Sequence, residues 1–392
     1  MDIFPRSDLF YQTGFTNTIN NTNIPYINKK IELLSILHTS IWTNYPINIP
    51  LQSKTTNQQL KNRKDMANIH QSIAELVGKT PLLQLNGYNK AKGLKANIIA
   101  KLEYFNPNQS VKDRIALAMV ETAEREGKLK KGDTIIELTS GNTGVGLAAI
   151  AAAKGYPFRV YIQDQVSKER FQVIHALGGK TVKLSEVPEI VETFEKYGPD
   201  FIKCVEALER HVAGEKNLWF ADQTRNPANP NVHFQTTGPE IWNDTDGKVD
   251  VFVACVGTGG TLSGVGNFLK SKNPNVKIFG VQPTEDSFQS PERPDQEEIT
   301  GVHPFENTKE EYIPANLDRK VYDGYFEIHT NQAYEAARLL AKSDGVLVGA
   351  SSGAALYAAT QLAQREEFKG KNIVALLPDT GLRYLSTHLF EE

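Results

Sequence analysis

Alanine and valine are absent from the first 65 residues of this 392-residue chain, which are crowded instead with Asn, Ile and Thr. Such a stretch lacks the small and branched side chains that fill a packed core, and disorder is expected for residues 1–65. Cysteine is scarce throughout: Cys204 and Cys255 are the only two, without metal-type spacing and too few for a disulfide framework. A reducing, cytoplasmic setting is therefore expected, with no metal site. No uncharged apolar run approaches the ~18 residues that a membrane span needs. Charge of one sign is also missing. The 43 Lys and Arg against 46 Asp and Glu leave a net charge of −3, which gives no electrostatic case for nucleic acid or an anionic membrane.

What is present begins at Met66, where the chain becomes rich in Ala, Gly and Val and acquires clear periodicity. The preceding segment reads as a flexible appendage, a targeting segment, or translated sequence upstream of the true start, with the first and last favoured. IHQSIAELVG (69–78) can form a helix before the Gly-Lys-Thr-Pro turn. Beyond it, short apolar runs alternate with helical patterns. ANIIAKLEY (96–104), DTIIEL (133–138), FRVYIQ (158–163), KTVKL (180–184), VDVFVACV (249–256), VKIFGVQ (276–282) and KNIVALLP (371–378) are strand-like. Helical patterns lie between them, and no fixed-period repeat occurs. The expectation is an α/β chain with mainly parallel twisted sheets, flanked by helices, with ligands at the carboxyl ends of strands. Its length suggests two domains.

NPNQSVKDR (106–114) raises a chemical question. Ser110 followed by Asp113 fits a helix-start signal, which makes Lys112 the second residue of a helix. There its ammonium faces the positive end of the helix dipole, which favours the neutral amine. Read alone, this is most simply a capped helix start with a solvated lysine.

Three glycine-containing loops sit between strands and helices. Thr139-Ser140-Gly141-Asn142-Thr143-Gly144 can present converging N–H groups to a carboxylate or phosphate, or can simply be a tight turn. Gly257-Thr258-Gly259-Gly260-Thr261 is a stronger phosphate cradle. It lacks the Lys of a P-loop and the spacing of a dinucleotide fingerprint, and the strand after it ends in Gln282 rather than an acid. In Gly349-Ala350-Ser351-Ser352-Gly353 a serine can cap the next helix or meet a ligand's ring nitrogen. A primary amine at a helix start, with a phosphate cradle and no nucleotide signature, describes pyridoxal phosphate.

NPNQSVKDR, TSGNTG, GTGGTLSG, GASSGAA and PDTGLRYLST resemble, in order and approximate spacing, the motifs of cysteine synthases (O-acetylserine sulfhydrylases). These belong with cystathionine β-synthase in the tryptophan-synthase-β-like, fold type II class of pyridoxal-phosphate enzymes. The resemblance runs from about Asn68 to Leu389, and SVKDR points away from the serine/threonine dehydratases. It implies a smaller domain over 106–226 and a larger one over 66–105 and 227–392, with the active site in the cleft between them. It also implies that Lys112 is the catalytic Schiff-base lysine. Asn142 would bond the cofactor's 3′-oxygen, Gly257, Thr258, Gly259, Gly260 and Thr261 its phosphate, and Ser351 its ring nitrogen. Thr139, Ser140, Gly141, Thr143 and Gln223 would grip the substrate carboxylate.

The implied reaction is β-replacement of O-acetyl-L-serine by sulfide, giving L-cysteine and acetate through an α-aminoacrylate. The alternatives are a cysteine- or serine-consuming enzyme of the cystathionine β-synthase or sulfide-releasing kind, and a non-catalytic scaffold of this fold. The resemblance further implies a homodimer, and a serine acetyltransferase tail could dock in the cleft. Departures occur at Gly301-Val302-His303-Pro304-Phe305, where a Gly-Ala-Gly-Phe-like segment is usual, and at Leu382, where an acid is usual. His303, Glu297 or Glu298 could approach the substrate, or the region could be an exposed loop. His233 carries no weight unaided. Residues 185–217 are expected to be a helical elaboration.

Overall fold

The apolar runs build two sheets. In the computed structural model the described residues are 69–392, apart from Ser140, Gln165, Ser167, Pro199, Asp200, Pro291, Glu392 and the side chain of Phe201. The expectation of disorder for 1–65 falls outside them. The larger sheet has the order β1 (Leu82–Gln84), β2 (Asn97–Leu102), β10 (Asn372–Leu377), β7 (Val251–Cys255), β8 (Lys277–Pro283), β9 (Gly324–Ile328). The smaller has the order β5 (Lys180–Lys183), β4 (Phe158–Ile162), β3 (Thr134–Leu138), β6 (Leu218–Phe220). Pairing is parallel throughout except between β1 and β2.

The helices before β6 are α1 (Asn86–Lys92), α2 (Lys112–Arg125), α3 (Asn142–Lys154), α4 (Lys168–Ala176), α5 (Pro188–Tyr197) and α6 (Phe201–Val212). After it come α7 (Ala228–Val232), a π turn at His233–Thr237, α8 (Gly238–Asp244), α9 (Gly260–Lys272), α10 (Thr330–Asp344) and α11 (Ala350–Ala363).

Both faces of each sheet are covered, which is why the strand sequences are nearly continuous rather than alternating. Val251, Val253, Ile373 and Ala375 pack in one cluster with residues of α10 and α11, such as Leu340 and Ala359. Their neighbours Phe252, Ala254, Val374 and Leu376 join Leu262, Val265 and Leu269 of α9. In the smaller sheet Ile135, Val160 and Ile162 meet Ile115 and Met119 of α2 and Leu147 and Ile150 of α3. Ile136, Leu138 and Tyr161 on the opposite face meet Ile190 of α5 and Cys204 and Leu208 of α6. The expected elaboration over 185–217 is thus the helix pair that closes this face. The close approach of α11 to α10 requires glycine at 353, since a Cβ there would collide with the Ala333 carbonyl.

The helix expected over 69–78 is instead a single 3-10 turn at Ile73–Leu76, capped by the Ser72 hydroxyl. None of its four residues is buried, so no tertiary packing extends it against the high cost of nucleating a helix.

Candidate active site

Lys112 is the first residue of α2, one position nearer the helix start than expected, and the N-cap is Val111, not Ser110. The capping chemistry is divided differently from the sequence expectation. The Ser110 hydroxyl accepts the Lys112 N–H at 3.3 Å, while the Asp113 carboxylate accepts the Asn108 N–H at 2.6 Å. Backbone bonds fix the entry to the helix: the Val111 N–H donates to the Pro378 carbonyl at 2.8 Å, and Ser110 bridges Asp379. Lys112 is partly accessible, not a solvated surface lysine. Withdrawal from bulk water pushes its amine below the ordinary lysine value, with Asp379, Cys255 and Glu103 pulling the other way.

The seat of α2 is a charged network in which Arg114, Glu103 and Lys101 are buried and Glu240 is partly buried. Arg114 Nε and Nη2 donate to Glu103 at 2.7 and 2.9 Å, and its Nη1 and Nη2 donate to Glu240 at 2.8 and 2.7 Å. Lys101 donates to the Thr80 carbonyl and to Glu240. Burial alone would raise both carboxyls; the Arg114 guanidinium holds Glu103 below its ordinary range and, with Lys101, holds Glu240 at about 2.

Gly257 to Thr261 follow the carboxyl end of β7 and lead into α9, with Gly259 as N-cap at φ 81°. The first N–H groups of this helix have no intrahelical acceptor and converge on the loop. Close packing shapes the cradle, because a Cβ on Gly257 would strike the Gly301 carbonyl and one on Gly260 the Asn229 side chain. Asn229 Nδ2 donates to Thr258 Oγ1 and to the Gln223 carbonyl, both at 2.8 Å. Thr261 Oγ1 lies 3.3 Å from His233 Nε2, and His233 Nδ1 lies 2.9 Å from Thr237 Oγ1. Burial, aided by Arg114, pushes His233 down to about 3, so the imidazole is neutral.

At the carboxyl end of β3, the Gly141 N–H donates to Thr139 Oγ1 at 3.2 Å, and the Thr143 hydroxyl donates to Gln223 Oε1 at 2.6 Å. Ser140 lies outside the described residues. The Gln223 N–H in turn donates to Glu137, a carboxyl that burial pushes up to about 8. Asn142 begins α3. Its Nδ2 donates to Asp379 Oδ2 at 2.7 Å, and its Oδ1 accepts the Arg383 guanidinium. Ser351 is not the helix cap, a place taken by Gly349, but stands buried in the first turn of α11. Its carbonyl accepts the Cys255 thiol at 3.1 Å.

A family model described as "Pyridoxal-phosphate dependent enzyme" matches residues 73–379. The chain belongs to this family. Cysteine synthase from Staphylococcus aureus strain Mu50 is 42% identical over 320 residues, covering 81% of this chain and 96% of that protein. Among solved structures, the cysteine synthase of Entamoeba histolytica is 35% identical at a TM-score of 0.71, covering 83% of this chain and 92% of the other. A hydrogen sulfide-producing enzyme from Fusobacterium nucleatum is 36% identical at the same TM-score of 0.71, covering 82% and 99%. These pyridoxal-phosphate enzymes share the fold type II arrangement of parallel sheets flanked by helices.

The residues present fit the family's cofactor. They provide an amine with lowered proton affinity, a glycine cradle at a helix N-terminus and a buried hydroxyl in the first turn of α11. Of the three side chains that could modify the chemistry, His303 is exposed, and its backbone N–H donates to the Val256 carbonyl at 2.8 Å. Glu297 accepts the Tyr334 hydroxyl at 2.6 Å and the His388 N–H instead. Glu298 accepts the Gln289 N–H. Leu382, at 57% exposure, makes no polar side-chain contact. Sequence reasoning missed Asp379, Arg383, Asn229 and Glu137. Asp379 and Arg383 did lie within a motif already singled out, PDTGLRYLST.

Proposed function

We propose that this pyridoxal-phosphate enzyme is a cysteine synthase, replacing the acetoxy group of O-acetyl-L-serine with sulfide to release L-cysteine and acetate. The observation that carries the reading is Lys112, whose amine is withdrawn from water at the first position of α2 beside Asp379 and Cys255. Lys112 would bond the cofactor's aldehyde, Asn142 its 3′-oxygen, Gly257 to Thr261 its phosphate and Ser351 its ring nitrogen. When bound, the cofactor supplies a sink for the electron pair left on the α-carbon. The chain's own residues do the rest. Thr139, Ser140, Gly141, Thr143 and Gln223 hold the substrate carboxylate, and the Lys112 amine takes the α-proton at Nζ. A neutral serine hydroxyl at the ring nitrogen leaves that nitrogen largely unprotonated, which favours elimination and replacement over transamination.

The division into a smaller domain over 106–226 and a larger one over 66–105 and 227–392 belongs to the same reading. So do a homodimeric state, a cytoplasmic location and docking of a serine acetyltransferase tail. No helix among the described residues is long and apolar enough to cross a membrane.

Two measurements test the proposal. The purified protein should show the visible absorbance of a lysine-bound cofactor, lost in Lys112→Ala; survival of that band in the variant would sink the assignment. O-acetylserine, O-phosphoserine, serine and cysteine should then be compared as substrates. Fast turnover of cysteine with none of O-acetylserine would replace cysteine synthase by the sulfide-releasing lyase reading, which the similarity to the Fusobacterium enzyme favours as the second choice.

A further inference from the structure

Asp379 follows β10 and is 1% exposed. Its Oδ2 accepts Asn142 Nδ2 at 2.7 Å and the Tyr384 hydroxyl at 2.8 Å. Its Oδ1 is buried with no hydrogen-bond partner among the described residues. That oxygen lies against Gly349, where any Cβ would collide with it, and the Gly349 N–H donates to the Asp379 carbonyl at 3.3 Å. The backbone of this segment also abuts the start of α2, through the Ser110–Asp379 bridge and the bond from Val111 to Pro378. Asp379 therefore touches the starts of α3 and α11 and adjoins the start of α2, the three places that carry Asn142, Ser351 and Lys112.

A buried carboxylate with an unpaired oxygen is costly unless a positive charge compensates it. The surroundings show which charge that is. Burial raises the Asp379 carboxyl above its ordinary value, while the bonds from Asn142 and Tyr384 and the charges of Arg383 and Lys112 favour the ionised form; the Arg383 guanidinium itself donates to Asn142 Oδ1 and to the Asn108 carbonyl. Tyr384 is held well above the ordinary phenol value by burial and stays a neutral donor. Around Lys112, Cys255 is pushed up to about 12 by burial and carries no charge at neutral pH. Glu103 is committed to Arg114, and burial holds His233 neutral. Asp113, next to Lys112 in the chain, also has one oxygen without a partner, but its carboxyl accepts the Asn108 N–H and is raised to about 6 by burial. That leaves Asp379 as the carboxylate bearing on Lys112, among the described residues, whose charge no guanidinium hydrogen bond neutralises.

We propose that Asp379 is a positioning residue with two tasks: it fixes the Asn142 amide in one orientation, and it supplies the counter-charge for a proton held on Lys112 Nζ. The first task follows from the clamp on that amide, with Nδ2 held by Asp379 and Oδ1 by Arg383. The second rests on Lys112 being the acting amine, as argued above. When Nζ takes a proton, a new N–H bond forms from the nitrogen lone pair and the site gains one positive charge, which the Asp379 carboxylate offsets without moving.

The test is a spectroscopic titration of the full-length protein as purified. The visible band of lysine-bound cofactor changes when the proton at Nζ dissociates. In Asp379→Asn the midpoint should fall by about one pH unit or more, the effect of removing a nearby opposite charge. In Tyr384→Phe the carboxylate loses a donor, its ionised form is less favoured, and the midpoint should fall in the same direction by less. A role confined to structure would lower the melting temperature of either variant and leave the midpoint alone. An unchanged or raised midpoint in a folded Asp379→Asn protein overturns the proposal; should that variant not fold, an unchanged midpoint in Tyr384→Phe does so. A preparation without the visible band contradicts the cofactor's attachment to Lys112 rather than the role of Asp379. There the rate of Lys112 modification by acetic anhydride against pH reads the proton affinity of the free amine, whose midpoint should likewise fall in Asp379→Asn.

Discussion

The Thr143 hydroxyl donates to Gln223 Oε1 across 2.6 Å, joining two residues 80 positions apart, one in the first turn of α3 and one in the segment after β6. In the proposed site Gln223 spends its acceptor on this bond and would offer its amide hydrogens to the substrate carboxylate. Thr143→Val would leave Oε1 buried without a donor, at a cost of about 1–3 kcal/mol. We expect KM for the amino-acid substrate to rise about tenfold or more, with kcat changed less. Steady-state kinetics decide this, and an unaltered KM would remove the pair from substrate binding.

Beneath the same glutamine, Glu137 accepts the Gln223 and Leu138 N–H groups with its carboxyl raised to about 8 by burial. A raised carboxyl binds its proton more tightly folded than unfolded. Its contribution is therefore fully present below about pH 4.5 and is lost as pH rises through 8. Glu137→Gln removes that titration. The alkaline decline in stability should become shallower by about 1.4 kcal/mol per pH unit between those limits, read from urea melts at several pH values.

Arg114→Met is expected to destabilise the protein by about 3–5 kcal/mol, because Glu103 is left charged and buried without its partner. Denaturant melts measure this directly. The double variant Arg114→Met with Glu103→Gln should recover part of the loss, and failure to recover any would show that the charge of Glu103 is not the cause.

Gly260→Ala places a methyl group on the Asn229 side chain, which ties Thr258 to the Gln223 carbonyl. We expect the affinity for pyridoxal phosphate to fall about tenfold or more, the equivalent of one hydrogen bond. Titration of the visible band measures it, and an unchanged affinity would place the phosphate elsewhere.

The central strands and the three glycine loops were legible in the sequence, because burial on both faces, close packing at Gly257, Gly260, Gly349 and Gly353, and the positive φ of Gly259 restrict residue choice locally. The α/β class followed from that alternation. Of the four edge strands only β5 was legible. β1 and β9 lack a continuous apolar run, β6 is only three residues long, and neither β6 nor β1 contains a fully buried residue. The charged core was invisible for another reason. Arg114 meets Glu240 across 126 positions, and Asn142 meets Asp379 across 237, distances at which neither periodicity nor capping signals inform. The displaced start of α2 is a finer case: Ser110 and Asp113 do satisfy N–H groups at the helix entrance, but those of Lys112 and Asn108.

The placement of β10 also bears on how the chain is made. The last strand synthesised is not an edge but an interior member of its sheet, paired with β2 on one side and β7 on the other. Until residues 372–377 clear the ribosome, the larger sheet remains split into a β1–β2 pair and a β7–β8–β9 ribbon, each with an open apolar edge. Every strand of the smaller sheet has by then long been available for pairing. Completion of the larger sheet therefore waits on residues 372–377, and a nascent chain stalled shortly before β10 is the form most in need of a chaperone.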